Sequence, residues 1–268
     1  MELWILNGRA GEGSSHIRFD LKESGTLPGS GRTCIIFVHG FNKDVPEALG
    51  QARRFFGLLQ DQWDWSTRRV RFSTYLWPAT RQAKSLLSGF KYPQMIDPAK
   101  RSGRMLGEHL SKHHPGLSVV LVGHSLGALV AAEAALRMRK RDEPSLRVLL
   151  LTGAAVESRE LEHLGDYQDR LAHKEAVLFC TSDVILKHLF GLGQRFAHPF
   201  RRPSDAVGLT GLPTTRAWDV SLRTNIWDHR YWDKASTAET TTRLIESTSS
   251  SSVTRQSILR KAPTRDIY

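Results

Sequence analysis

Gly123-His124-Ser125-Leu126-Gly127 is the stretch of this chain best equipped to do chemistry. It follows the apolar run 117–122 and precedes small residues at 128–135, so it reads as a strand, a tight turn and a helix with the serine at the apex. Gly123 and Gly127 let strand and helix approach without a Cβ clash. The helix also opens with free backbone N–H groups beside the hydroxyl. A serine hydroxyl is a poor nucleophile at neutral pH, so the chemistry that fits is acyl transfer, with a base within reach and an anion orienting that base. Three fixed positions in GxSxG recur by chance in unrelated chains, and the flanking elements and the partners below give this one its meaning.

Asp183 follows the strand-like run 176–180 through Thr181-Ser182, at the carboxyl edge where open α/β sheets place ligands. It is the expected acid. Its competing role is to cap a helix over 184–190. Asp205 and Asp166 are rivals, but neither ends an obvious buried strand. For the base, His229 stands in Asn225-Ile226-Trp227-Asp228-His229-Arg230-Tyr231-Trp232, after the last strand expected. His198 and His188 come one strand too early. Acid and then histidine, both after the serine, is the chain order of doubly wound serine hydrolases.

A fourth feature is His39-Gly40-Phe41-Asn42, which follows the continuous apolar run 34–38. A tetrahedral intermediate needs N–H donors aimed at the developing oxyanion, and losing one costs about 2.7–4 kcal/mol. The backbone N–H groups of Phe41 and Leu126 are the expected pair. Gly40 allows the sharp turn, and Asn42 braces the loop.

The elements around these residues alternate. Residues 3–6 and 16–19 read as an N-terminal hairpin, and strands are expected at 34–38, 70–77, 117–122, 147–151, 176–180 and 217–221. Helices are expected at 45–60, 98–113 and 126–140, which implies a mostly parallel twisted sheet with helices on both faces. Residues 187–216 are dense in Gly and Pro and read as a loop or partial cap. The expected organisation is a hairpin and linker at 1–31, a core at 32–235, and at 236–268 a terminal helix over part of 234–246 followed by a flexible Ser/Thr-rich tail.

A chain of 268 residues with 40% hydrophobic and 24% charged residues suits one globular domain. No run reaches the ~18 apolar residues that a membrane span needs, and a cytoplasmic location is the expectation. Two cysteines, Cys34 and Cys180, sit in expected strands and make no disulfide framework. The eleven histidines show no HExxH spacing, and no GxGxxG or GxxxxGK[ST] run is present, so neither metal nor organic cofactor is expected. A net charge of +11, with arginines gathered at 53–54, 68–71, 137–141 and 201–202, raises the possibility of an anionic membrane surface as partner. No nucleic-acid motif accompanies it.

Taken together, His39-Gly40-Phe41-Asn42 and Gly123-His124-Ser125-Leu126-Gly127 resemble the α/β-hydrolase superfamily, in particular a bacterial esterase and lipase-like branch with an HGFN segment. Tyr75-Leu76-Trp77-Pro78-Ala79, Gly208-Leu209-Thr210-Gly211-Leu212 and His229-Arg230-Tyr231-Trp232 add to the likeness, which covers roughly 32–235. The resemblance implies an eight-stranded hydrolase sheet and a Ser125, Asp183, His229 triad acting on a small-molecule or lipid ester. The chain lacks the HGGG segment of many lipases, which leaves esterase, lipase, thioesterase and peptidase chemistry open. A non-catalytic binding role on the same fold is the reading from a different class.

Overall fold

A computed structural model describes residues 3–10, 20–25, 33–62, 70–79, 92–139, 145–158, 160–161, 171–191, 205–211 and 220–259. Eight strands form one sheet: β1 (Trp4–Ala10), β2 (Asp20–Ser24), β3 (Thr33–Val38), β4 (Val70–Leu76), β5 (Ser118–His124), β6 (Ser145–Thr152), β7 (Lys174–Phe179) and β8 (Val220–Arg223). Their spatial order is β2-β1-β4-β3-β5-β6-β7-β8. Only the edge strand β2 runs antiparallel, against β1. The hairpin is therefore present, with its second strand at Asp20–Ser24; the expected 16–19 segment lies outside the described residues. The last strand is described at Val220–Arg223, past the expected end at 221, and 217–219 lie outside the described residues.

Alternation along the central strands feeds two cores. Cys34, Ile36 and Val38 of β3, with Val119 and Leu121 of β5, turn to the face covered by α2 (Ile96–His113) and α3 (Gly127–Arg139). Ile35, Phe37, Val120 and Val122 turn to the other face, where Phe55, Phe56 and Leu59 of α1 (Val45–Gln62) pack with Leu244 and Ile245 of α4 (Ala235–Leu259). A reciprocal capping box starts α1: Glu47 N–H donates to Asp44 Oδ1 at 2.9 Å and Asp44 N–H to Glu47 Oε2 at 3.2 Å.

The small residues after Ser125 have a packing reason. A Cβ at Gly103 of α2 would lie 2.4 Å from Val130 O, and one at Gly107 would lie 2.5 Å from Ala134 O. The two helices thus touch backbone to backbone. Gly107→Ala is expected to lower the unfolding free energy by about 1–3 kcal/mol, read as a drop in urea midpoint.

The terminal helix runs past the expected 234–246, because α4 continues to Leu259. Several of its hydroxyls bond to its own backbone: Thr240 Oγ1 donates to Ser236 O, Thr241 Oγ1 to Thr237 O and Thr248 Oγ1 to Ile245 O. Arg147 of β6 donates to Thr248 Oγ1 at 2.7 Å and to Thr33 Oγ1 at 3.2 Å, which ties the helix to the sheet. Among the clustered arginines, Arg54 pairs with Asp233 at 2.6 Å and Arg137 with Glu108. Both cysteines are buried free thiols. Among the described residues no helix is long and apolar enough to cross a membrane.

Candidate active site

After β3 the chain places β4 on one side of it and β5 on the other, so the strand order reverses between β3 and β5. That is the point where open α/β sheets leave a crevice beyond their carboxyl ends. Val38 pairs with Gly123 there, which brings the 39–42 segment beside the bend at Ser125.

Ser125 sits between β5 and α3 with φ 55°. Its N–H donates to Thr152 O at 3.0 Å, and its carbonyl accepts from Ala128 and Ala155 N–H. The glycines around it leave no room for a side chain. A Cβ at Gly127 would lie 2.4 Å from His39 O, and one at Gly123 would lie 2.6 Å from Gly127 O. Gly40 makes room for the serine itself, since a Cβ there would stand 2.9 Å from Ser125 Cβ. Gly40→Ala is expected to displace Ser125 and lower ester turnover at least about tenfold, since small misplacements of reacting groups are costly; kcat on a soluble ester checks this.

Asp183 is fully buried, and each of its carboxylate oxygens has its own partner. Oδ1 accepts from Leu186 N–H at 3.0 Å, capping the short helical segment that contains the π turn Leu186–Phe190. Oδ2 lies 2.6 Å from His229 Nδ1. That partnership puts the imidazole proton on Nδ1 and leaves Nε2 as an acceptor, and Nε2 is buried with no partner among the described residues. His229 has φ 59° and Asn42 has φ 58°. With Ser125 these are all the non-glycine residues of positive φ among the described residues. Each costs of order 1–3 kcal/mol, and such strain gathers where geometry matters more than stability. The rivals stand apart: Asp205 and His188 are exposed, and Asp166 and His198 lie outside the described residues.

The 39–42 segment is braced by a residue that no sequence pattern pointed to. Arg9 of β1 is buried and donates through Nε to Trp77 O at 2.9 Å and through Nη2 to Lys43 O at 2.5 Å. Its Nη2 also lies 3.4 Å from His39 Nε2. His39 Nδ1 donates to Gly40 O at 2.8 Å, Trp77 Nε1 donates to His39 O at 2.7 Å, and Asn42 N–H donates to Ala79 O at 3.0 Å. Neither the Phe41 nor the Leu126 N–H donates to another described residue.

Burial, with the Arg9 charge adding to it, lowers the His39 pKa from 6.5 to about 3. Below pH 6.5 the unfolded chain binds a proton that folded His39 does not. Stability is therefore expected to fall as pH drops from 6.5 toward 3, by up to about 1.4 kcal/mol per pH unit from this residue. His124, whose pKa burial holds well below 6.5, acts with the same sign. Urea midpoints measured across this range test it, with a shallower slope expected for His39→Gln.

His124 does more than fill the bend. Its Nε2–H donates to the backbone carbonyl of His229 at 2.9 Å, so the strand that leads into Ser125 fixes the loop bearing the histidine. Tyr231 packs beneath, and a Cβ at Gly153 (φ 50°) would lie 2.5 Å from its ring. Ser125, His229, Gly40, Phe41 and Asn42 open onto one cavity of about 490 Å³. Tyr92, Ile185, Leu186, Phe190 and Trp232 supply its apolar wall, and Lys43, Gln51, Asp228 and Arg230 its polar margin. The Tyr92 hydroxyl donates to Ala155 O, which anchors that wall to the segment after β6.

A sequence model of the family described as "alpha/beta hydrolase fold" matches residues 88–219. That stretch is just under half of the chain, and over it the chain is similar to the family. The matched stretch contains the Ser125 bend and Asp183, whereas 39–42 and His229 lie outside it. Solved structures similar to this chain include an esterase from Pyrobaculum calidifontis, at 14% identity and TM-score 0.42, covering 80% of this chain and 76% of that one. The RedJ thioesterase of the prodiginine pathway in Streptomyces coelicolor is 16% identical with TM-score 0.40, covering 82% and 92%. Carboxyl esterase 2 from Tuber melanosporum is 12% identical with TM-score 0.37, covering 83% and 80%. No curated protein matches the sequence.

Proposed function

We propose that this chain is an α/β-hydrolase, a serine hydrolase that cleaves carboxylic esters through an acyl-enzyme intermediate. The observation that carries the reading is the Asp183–His229 bond of 2.6 Å, which leaves Nε2 as a buried acceptor on the cavity that Ser125 also lines. In the first step Ser125 Oγ adds to the ester carbonyl carbon as its proton passes to His229 Nε2. Asp183 stabilises the imidazolium without taking the proton. The Phe41 and Leu126 N–H groups hold the oxyanion.

Collapse of the tetrahedral species breaks the bond to the alcohol oxygen, which takes the proton from Nε2. Water then gives a proton to Nε2 and adds to the acyl carbon; the acid departs as Ser125 Oγ recovers its hydrogen. The apolar wall of Phe41, Tyr92, Phe190 and Leu186 favours an apolar acyl or alcohol group. A series of p-nitrophenyl esters of rising chain length tests the proposal, with a burst of one nitrophenol per chain followed by steady turnover as the expected result. Folded protein that turns over no member of the series would support the non-catalytic binding role instead.

A further inference from the structure

Glu23, His109 and His114 bring one ligand atom each to within 4.8 Å of one another, away from the cavity already described. Glu23 lies on the antiparallel edge strand β2, four strand positions from β5 and so roughly 19 Å across the sheet. His109 is in α2 near its carboxyl end and His114 is the residue that ends that helix. On a continuing helix, positions five apart diverge by roughly 140°. His114 leaves the helix at φ −135° and ψ 50°, with its N–H bonded to Leu110 O at 2.9 Å, and this exit returns its ring to the side of His109. Trp4 packs edge-on against the His114 ring, centroids 5.0 Å apart, and fixes its plane.

Both imidazoles present Nε2 to the same oxygen, Glu23 Oε1, His114 at 2.7 Å. The three side chains retain 15–22% exposure, enough for solvent to reach the point where they converge. Two neutral imidazole nitrogens and one carboxylate oxygen suit a late first-row divalent ion, and three protein ligands leave a position for water. Because Glu23 is 86 and 91 residues from the two histidines, no local spacing such as HExxH could reveal the set. We propose that Glu23, His109 and His114 form a site for one such ion, with Zn²⁺ as its representative, which clips the edge strand β2 to the end of α2. The role is structural, since α2 leads from this end of the molecule into the amino-terminal end of β5, opposite the crevice.

The test uses the full chain, stripped with a chelator and titrated with Zn²⁺ by calorimetry. One ion per chain is expected, and Zn²⁺ at about 100 times its dissociation constant should raise the folding equilibrium constant about 100-fold. Co²⁺ should give the visible absorption of a low-coordinate site, a readout that needs no variant. Glu23→Gln and His114→Gln, each checked for folding by circular dichroism, should weaken Zn²⁺ binding at least about 100-fold, more than loss of an outer-shell partner does. His113→Gln, which alters the exposed neighbour, should bind as the parent does. Absence of saturable uptake by the parent, or equal uptake by Glu23→Gln and His114→Gln, would overturn the proposal and leave a hydrogen-bonded cluster.

Discussion

Ser125→Ala is expected to lower ester turnover by roughly 10⁴- to 10⁶-fold while leaving the fold intact, the residual rate coming from the oxyanion donors and binding alone. The size follows from the mechanism: without Oγ there is no acyl-enzyme, and the Asp183–His229 pair has nothing to activate except water. Stability provides a separate check. At φ 55° a residue with a Cβ pays for the left-handed backbone, about 1–2 kcal/mol, and glycine does not. Ser125→Gly should therefore be inactive yet more stable than the parent by about 0.5–1 kcal/mol after the greater chain entropy of glycine is subtracted. Activity surviving in Ser125→Ala would remove the nucleophile from the account. A Ser125→Gly variant less stable than the parent would remove the strain.

Asp183→Asn should cut kcat by about 10⁴-fold with the unfolding midpoint almost unchanged. The two oxygens of Asp183 separate these effects. Asparagine can still accept the Leu186 N–H and cap the segment, but its amide donates where Oδ2 accepted from His229 Nδ1. The imidazole then carries its proton on Nε2 and cannot take one from Ser125. Asp183→Ala loses the cap as well and should be about 1 kcal/mol less stable than Asp183→Asn. The comparison therefore distinguishes orientation of the base from simple structural damage. Asp205→Asn should change neither property, because Asp205 is exposed and takes no part in the cavity wall.

The parts of this molecule that were legible in its sequence are those written locally. An apolar run, a polar residue and a new period mark where β3, β5 and β7 end, with a glycine at the first two, and the segment 39–42, Ser125 and Asp183 stand at those ends. His229 followed from chain order. The supports were not legible, because each spans a long separation. Arg9 meets Trp77 68 residues away, Tyr92 meets Ala155 63 away, and His124 meets the His229 carbonyl 105 away.

The full length of the terminal helix was not legible for another reason. Ser and Thr read as poor helix formers, but here the hydroxyls of Thr240, Thr241 and Thr248 bond to carbonyls three or four residues back, and Arg147 gives Thr248 an anchor in the sheet. The Gly208 segment has an equally non-local cause, since a Cβ there would lie 2.5 Å from Ala154 N, behind the end of β6.

The central claim is that Ser125 Oγ is a nucleophile made reactive by His229. Its most direct test is reaction of the folded chain with a fluorophosphonate, followed by intact mass and peptide mapping. One adduct per chain on Ser125 is predicted, with no adduct on Ser125→Ala and labelling of His229→Ala slowed by orders of magnitude. A folded parent that stays unmodified, or that carries its adduct on another residue, would contradict the account.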